Sequence, residues 1–236
     1  MRIENSAGTY TVKALKISKV LNLALKDAED IASHAVIMSF SKGVDMFSEG
    51  DESDGLYIIL KGAVKVYRIS ENGVEKILAV IAAGDLVGEM AMFGTHRRSA
   101  SVRSLEKLEV LHMPQHSIES IMLSVPALHR KITEIVTERL CRANTQAVFS
   151  EAGSRARIMN RLLELAQTCG RPDRSGRFTT IPFRLTHSDL AALSGVARET
   201  ATKKLNELTD HKIIKLNYQK HLQIDAEAIK SELALH

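Results

Sequence analysis

The sequence predicts an α+β chain with an N-terminal antiparallel β-roll, one long helix and a C-terminal winged helix-turn-helix. Three observations carry this reading. Short β-rich runs separated by glycines follow one another between Val36 and Met113. An apolar repeat of threes and fours opens at Pro126 and meets no glycine until Gly153. Near the C-terminus a helix-capping signal leads through a glycine turn into a second short helix.

The first 35 residues read as polar helix, with Leu15, Val20, Leu23 and Ile31 loosely spaced. The runs Tyr57–Leu60, Val64–Tyr67, Ile77–Ile81 and Leu108–Met113 then alternate with Gly43, Gly50, Gly55, Gly62, Gly73, Gly84 and Gly94. Strands at such intervals with glycine turns indicate a compact antiparallel barrel or roll. Glu71-Asn72-Gly73 contains the Asn-Gly pair of a tight hairpin, in which both central residues take positive φ.

From Pro126 the residues Leu128, Ile132, Ile135, Val136, Leu140, Ala143 and Ala147 form one helical stripe. A helix of about 24 residues is roughly 36 Å long, more than one small roll can cover. A seam of that length is expected to meet a copy of itself, making a homodimer. Residues 150–154 are small or polar and are expected to form a hinge. The helix that follows is predicted to bury Ile158, Leu162, Leu163, Leu165 and Ala166, and Arg171–Arg177 reads as an exposed loop. The expected divisions are 1–125, 126–149, 150–154 and 155–236.

Thr186-His-Ser-Asp189 fits a capping box, in which hydroxyl and carboxylate satisfy orphan amides at a helix start. Leu190, Ala191 and Leu193 are the apolar face of that helix, and Gly195 supplies the freedom the turn requires. A second helix starts near Ala197, and Ile213–Leu216 and His221–Ile224 flank a wing at Asn217–Lys220. Such a helix reads base edges with its first turns, here Arg198 and Glu199; Arg matches guanine and Glu a cytosine amine. Lys204 stands where an apolar side chain is usual, so its stem is expected to line the core with the amine in solvent.

Composition restricts the function classes. The 236 residues are 44% hydrophobic and 25% charged, the balance of a globular protein. No apolar run is long enough for a membrane span. The segment Met1–Tyr10 has no apolar signal core, so a cytoplasmic protein is expected. Cys141 and Cys169 lie 28 positions apart, which excludes a disulfide framework, a zinc ribbon and a Cys-rich iron–sulfur site. With no Ser/His/Asp constellation and no metal-ligand cluster, catalysis is not expected. Residues 1–150 carry 18 basic and 18 acidic side chains, whereas residues 151–224 carry 13 basic against 7 acidic. A neutral front half joined to a basic back half suits a sensor attached to a binder of polyanions.

Val87-Gly-Glu-Met-Ala-Met92, followed by Arg98-Ser-Ala-Ser-Val-Arg-Ser104, has its own chemistry. Bare Gly88 lets a ligand approach the backbone, and the Glu89 carboxylate suits a sugar hydroxyl. Arg98 and Ser99 suit phosphate oxygens. This string closely matches the phosphate-binding cassette of the cyclic-nucleotide-binding domain. Gly50-Asp51, Leu56-Tyr-Ile-Ile59 and Gly62 add a second matching stretch. With the long helix and the winged helix-turn-helix in this order, the chain resembles the cyclic-AMP receptor protein / fumarate–nitrate regulator family of bacterial transcription factors.

The resemblance, from about Val36 to Ile224, implies a homodimer that binds a cyclic mononucleotide and double-stranded DNA. Gly88 and Glu89 would hold the ribose and Arg98 and Ser99 the cyclic phosphate, with Met90, Ala91 and Ala100 completing the cassette. Arg139 would pair with Glu89. Arg198, Glu199 and Lys203 would face the major groove, with Thr186 and Ser188 near phosphates and Lys220 touching phosphate from the wing. The loop Arg171–Arg177 falls where the family touches RNA polymerase. Two adjacent hydroxyl residues read adenine in the cyclic-AMP receptor protein. Here the matching positions are Ala143 and Asn144, so cyclic AMP is placed ahead of cyclic GMP with both left open. The N-terminal cysteine cluster of the oxygen-sensing branch is missing, and His112 gives no context for haem; no metal, haem or iron–sulfur cluster is expected. Two other readings stay beside this one: a DNA-binding dimer whose roll is ligand-free or takes a different effector, and a nucleotide sensor or enzyme accessory subunit without a role in transcription.

Overall fold

The computed structural model describes residues 7–93, 96–149 and 151–234. The expectations placed on Met1–Ser6, Gly94 and Ser150 therefore lie outside the described residues. The chain divides by its contacts into two compact units, residues 1–64 with 81–141, and residues 65–80 with 142–236. The division falls between Cys141 and Arg142, inside the long helix.

In the first unit the N-terminal segment is two helices, α1 (Ala7–Leu21) and α2 (Leu25–His34). Ala14, Ile17 and Leu21 meet Ala28, Ile31 and Ala32 in the core, while Leu15 faces solvent. Lys13 Nζ donates to the carbonyls of Ala32 and Ala35, satisfying acceptors that the end of α2 leaves free. Burial lowers the pKa of this amine.

The roll strands follow as β1 (Val36–Phe40), β2 (Asp45–Phe47), β3 (Gly55–Lys61), β4 (Ala63–Ile69), β5 (Glu75–Ala82) and β6 (Leu86–Val87), of which residues 65–80 in β4 and β5 group with the second unit. A single turn, α3 (Met90–Phe93), precedes β7 (Ser101–Ser104) and β8 (Leu108–Pro114). One antiparallel sheet runs β1-β8-β3-β6 and another β2-β7-β4-β5. Registers are set by apolar pairs such as Ile37 with Leu111 and Leu56 with Met113. Gly55 to Leu60 are all buried because β3 is covered on both faces. Leu56, Ile58 and Leu60 join the helical core, and the alternate residues Tyr57 and Ile59 turn to the other face.

The hairpin between β4 and β5 departs from the expected two-residue turn. Only Gly73 takes positive φ, at +75°. Its N–H donates to Ser70 O at 2.8 Å, and Ser70 N–H donates to Val74 O at 2.9 Å. This is a three-residue loop in which the glycine alone occupies the left-handed position.

After β8 come α4 (Gln115–Ser124) and α5 (Pro126–Phe149). The stripe on α5 splits. Leu128, Ile132 and Ile135 are buried in the first unit's core. Val136, Leu140, Ala143 and Ala147 remain exposed in the single chain.

In the second unit α6 (Ser154–Cys169) starts within the expected hinge, at Ser154. It buries Ile158, Met159, Leu162, Leu165, Ala166 and Cys169, whereas Leu163 is only half-buried. Arg171–Arg177 is exposed except for half-buried Asp173, but it is the mouth of a hairpin between β9 (Arg171–Pro172) and β10 (Thr179–Thr180). Asp173 Oδ1 organises that turn by accepting from Ser175 and from Phe178 N–H.

Next come α7 (His187–Ser194), α8 (Arg198–Asp210), β11 (Ile214–Leu216), β12 (Leu222–Ile224) and α9 (Ala226–Ala234). The wing belongs to a four-stranded sheet ordered β11-β12-β10-β9. Phe178, Ile181, Phe183, Leu205, Leu208, Ile224 and Ile229 supply further buried side chains of this unit.

Candidate functional site

Gly88 lies just after β6 at φ +91°, and a Cβ there would sit 2.3 Å from Arg98 Nη1. Only a bare backbone admits the guanidinium. The next residue, Glu89, is buried at 7% exposure, and its carboxylate accepts from Arg139 Nη1 at 2.7 Å. Arg139 Nη2 also donates to Asp85 at 2.6 Å and to the Leu86 carbonyl. One arginine on α5 thus clamps both ends of β6 and fixes the Glu89 carboxylate through charge-assisted bonds. Ala91 and Ala100 are buried small residues, and Met90 is exposed. Ser99 is exposed, with its hydroxyl 3.4 Å from the Met90 sulfur.

Arg98 is buried rather than a loop side chain in solvent, at 2% exposure. Its Nη2 donates to Asp54 Oδ1 at 2.5 Å and to Gly55 O at 2.8 Å, and Nη1 donates to Gly88 O at 3.2 Å. The guanidinium carbon lies 4.1 Å from the centre of the Phe47 ring. Arg98 Nε is buried with no acceptor among the described residues. An always-charged fork held by two carbonyls and the Asp54 carboxylate, with Nε unmet and the exposed Ser99 hydroxyl next to it in sequence, fits a bound phosphate.

Asp54, Tyr57 and His112 complete this network and were not among the expected site residues. Tyr57 OH donates to Asp54 Oδ2 at 2.5 Å, and the His112 ring stacks on Tyr57 with centroids 4.5 Å apart. Burial alone would raise the Asp54 carboxyl, but the hydrogen bonds from Tyr57 and Arg98 outweigh it and hold it below its ordinary value. Burial and the bond to Asp54 push the Tyr57 phenol well above the usual range. The sequence signal available was Asp54-Gly55 directly ahead of the Leu56-Tyr57 run, though nothing in it announced a partner 44 positions away. Asn144 is exposed on α5, in the second unit.

In the second unit, both halves of the capping box form. Asp189 N–H donates to Thr186 Oγ1 at 3.0 Å, and Thr186 N–H donates to Asp189 Oδ2 at 2.9 Å. The Thr186 hydroxyl also donates to that carboxylate at 2.7 Å, while Ser188 is exposed. Gly195 ends α7 in the left-handed conformation at φ +62°. Arg198, Glu199 and Lys203 are exposed on α8, Thr200 is half-buried and Ala201 fully buried. Lys204 has its stem partly covered, but its amine, expected in solvent, donates to the Glu207 carboxylate oxygens at 2.9 and 3.0 Å. Lys220 is exposed in the wing turn at φ +59°. No helix among the described residues is long and apolar enough to cross a membrane, and no group of three His, Cys, Asp or Glu side chains there is placed to hold a metal.

Residues 37–124 match the cyclic nucleotide-binding domain family, and residues 156–230 match the Crp-like helix-turn-helix domain family. The chain is 28% identical over 195 residues to the CRP-like cAMP-activated global transcriptional regulator of Mycobacterium tuberculosis, covering 81% of this chain and 85% of that one. It is 28% identical over 178 residues to the cyclic AMP receptor protein of Thermus thermophilus, covering 75% and 78%. The structure of the c-di-GMP responsive global regulator of Xanthomonas campestris superposes with a TM-score of 0.71 at 20% identity, covering 85% of this chain and 99% of that one. At that identity the likeness speaks for the fold.

Proposed function

From a chain that belongs to the cyclic-AMP receptor protein / fumarate–nitrate regulator family of transcription regulators, with a cyclic-nucleotide-binding domain and a helix-turn-helix domain, we propose a cyclic-nucleotide-gated homodimer that reads pseudo-palindromic DNA. The observation that carries this reading is the cassette. Glu89 is locked by Arg139, and Arg98 is buried beneath Gly88 with one N–H unmet. Glu89 accepts from the ribose hydroxyl, and Arg98 and Ser99 take the cyclic phosphate. Arg139 ties that site to α5, whose exposed Val136 and Leu140 meet the same helix of a second copy. Asn144 contacts the base, with cyclic AMP preferred to cyclic GMP; its amide both donates and accepts.

Arg198, Glu199 and Lys203 read base edges in the major groove, and Thr186, Ser188 and Lys220 lie against phosphates. The exposed hairpin mouth at Arg171–Arg177 touches RNA polymerase, and the protein acts in the cytoplasm. Ligand that contacts two dimer arrangements differently shifts their populations, and only that difference switches DNA affinity. The test is calorimetry with cyclic AMP and cyclic GMP on wild type and Asn144→Ala, alongside DNA binding with and without nucleotide. Wild type binds cyclic AMP more tightly, and Asn144→Ala changes the ratio of the two affinities while the dimer persists. No heat with either nucleotide, and no change in DNA affinity, would overturn the effector reading.

A further inference from the structure

The exposed face of α5 opens on a histidine. His129, Thr133, Val136, Leu140, Ala143 and Ala147 follow one another at alternating steps of four and three, and all are exposed in the single chain. That alternation is the heptad seam of two paired helices. Its C-terminal part is apolar, with Val136 40% and Leu140 62% exposed. Its first two turns carry His129 and Thr133 instead.

The two polar residues differ in what they leave unmet. Thr133 and Thr137 turn their hydroxyls onto their own helix, donating to the His129 carbonyl at 3.0 Å and the Thr133 carbonyl at 2.8 Å. Thr133 therefore enters a seam with no orphan donor. The His129 imidazole makes no hydrogen bond or ion pair with any described residue. The open groove beside it is lined, among the described residues, by α5 alone, with Arg130, Glu134 and Glu138 as its charges. Arg130 and Glu134 pair with each other at 3.8 Å. Helix α4, which joins α5 through Val125, ends in Ile121-Met-Leu-Ser124 and brings no charge to this face.

Both copies of α8 must reach one duplex, and α5 leads into the second unit at its C-terminal end, so the two α5 helices run parallel. A two-fold axis along a parallel seam sets each residue against its own copy. Once covered, the His129 imidazole needs a partner, and the group opposite is the partner's His129. A neutral pair meets this need, because one ring nitrogen donates where the other accepts. A charged pair has donors only, and two like charges taken out of water repel.

Resting on the homodimer reading, we propose that the His129 pair is a proton-sensitive lock on the dimer. It closes the N-terminal end of the seam when the imidazoles are neutral and opens it when they are charged. Arg130 of each copy adds positive charge at the same end. The separated chains bind protons more readily than the dimer, so the dimer weakens as pH falls. DNA affinity falls with it. Histidine changes charge between about pH 5 and 8, above the range of ordinary carboxylates.

Sedimentation equilibrium of the full-length protein without nucleotide, from about pH 8 to about pH 5.5, reads the lock, with circular dichroism checking the fold at each pH. The wild-type dimer dissociation constant rises about tenfold to a hundredfold as pH falls. His129→Gln keeps a donor and an acceptor but cannot titrate, and its constant stays level. In a Cys141→Ser background, oxidised His129→Cys forms a covalent dimer. A wild-type dimer indifferent to pH, an equal pH dependence in His129→Gln, or a dimer that His129→Cys fails to cross-link would overturn the lock and leave the homodimer standing. A wild type that is monomeric at every pH and concentration would overturn the homodimer reading itself, and this inference with it.

Discussion

The guanidinium of Arg98 satisfies the carbonyls of Gly55 and Gly88 and the carboxylate of Asp54 while stacking on Phe47, so its removal has two consequences. Arg98→Ala deletes the proposed phosphate partner and also takes a donor from the buried Gly55 carbonyl and the half-buried Gly88 carbonyl, costing about 2 kcal/mol of stability. Ser99→Ala separates these effects. Its exposed hydroxyl supports nothing in the roll but the Met90 contact, so melting changes by no more than about 0.5 kcal/mol. Loss of a bond to a charged phosphate still weakens cyclic AMP by about tenfold to a hundredfold. Calorimetry paired with thermal melting checks both variants, and a Ser99→Ala protein with wild-type affinity removes that hydroxyl from the site.

Asp54 adds a pH dependence. Its folded pKa lies below the ordinary value of 3.8. The unfolded chain therefore binds the proton first as pH falls, and stability is lost from about 3.8 down through the folded pKa. The network contributes fully above that window. Asp54→Asn removes the carboxylate and flattens this part of the stability–pH curve. Parallel curves for the two proteins would show that the Arg98–Asp54 pair has no energetic weight. Burial of Arg98 was not legible in the sequence, because an arginine is buried only where acceptors converge on it. These come from Asp54, Gly55 and Gly88, which no local pattern brings together.

At the scale of elements, local patterns were legible where the physics is local. The Thr186–Asp189 capping box and the Gly195 turn form as read, since each needs only neighbours in sequence. Thr186→Ala costs about 1 kcal/mol, measurable in urea as a lower midpoint with unchanged slope; no change would mean that α7 is fixed by packing alone. Asn72-Gly73 was misread because two-residue and three-residue hairpin loops share that pair, and closure by Ser70 and Val74 decides between them. Helix α9 went unread because Glu227, Lys230 and Glu232 register as charge, although Ile229 is fully buried. The stripe on α5 gave its period correctly but not its split between the chain's own core and an exposed half. That split makes dimerisation testable without unfolding the roll. Leu140→Asp places a charge at a side chain 62% exposed in the single chain. Monomers in sedimentation, with circular dichroism retained, are the expected result; a persistent dimer would move the seam off this helix.

At the scale of the whole molecule, charge and symmetry set what DNA binding must look like. The front 150 residues are neutral by count, and the excess of 13 basic over 7 acidic side chains lies in residues 151–224. Affinity for any DNA therefore comes from the second unit and falls with salt, through counterions released by its phosphate contacts. In the proposed homodimer, two copies of α8 related by a two-fold axis would meet successive major grooves about 34 Å apart. Arg198 and Glu199 stand exposed at the start of that helix, while Ala201, two positions after Glu199, is buried, so base edges are within reach of the first two residues and of exposed Lys203 one turn on. Arg198→Ala consequently loses about 1–3 kcal/mol per half-site and relaxes one base-pair position. Lys220→Ala weakens every duplex alike and reduces the salt slope by about one per subunit. Binding isotherms on a selected duplex and a scrambled one, each at several salt concentrations, separate the two roles. If Arg198→Ala loses equal affinity on both duplexes, the first turn of α8 is a phosphate clamp, and sequence must be read by the wing or through DNA shape.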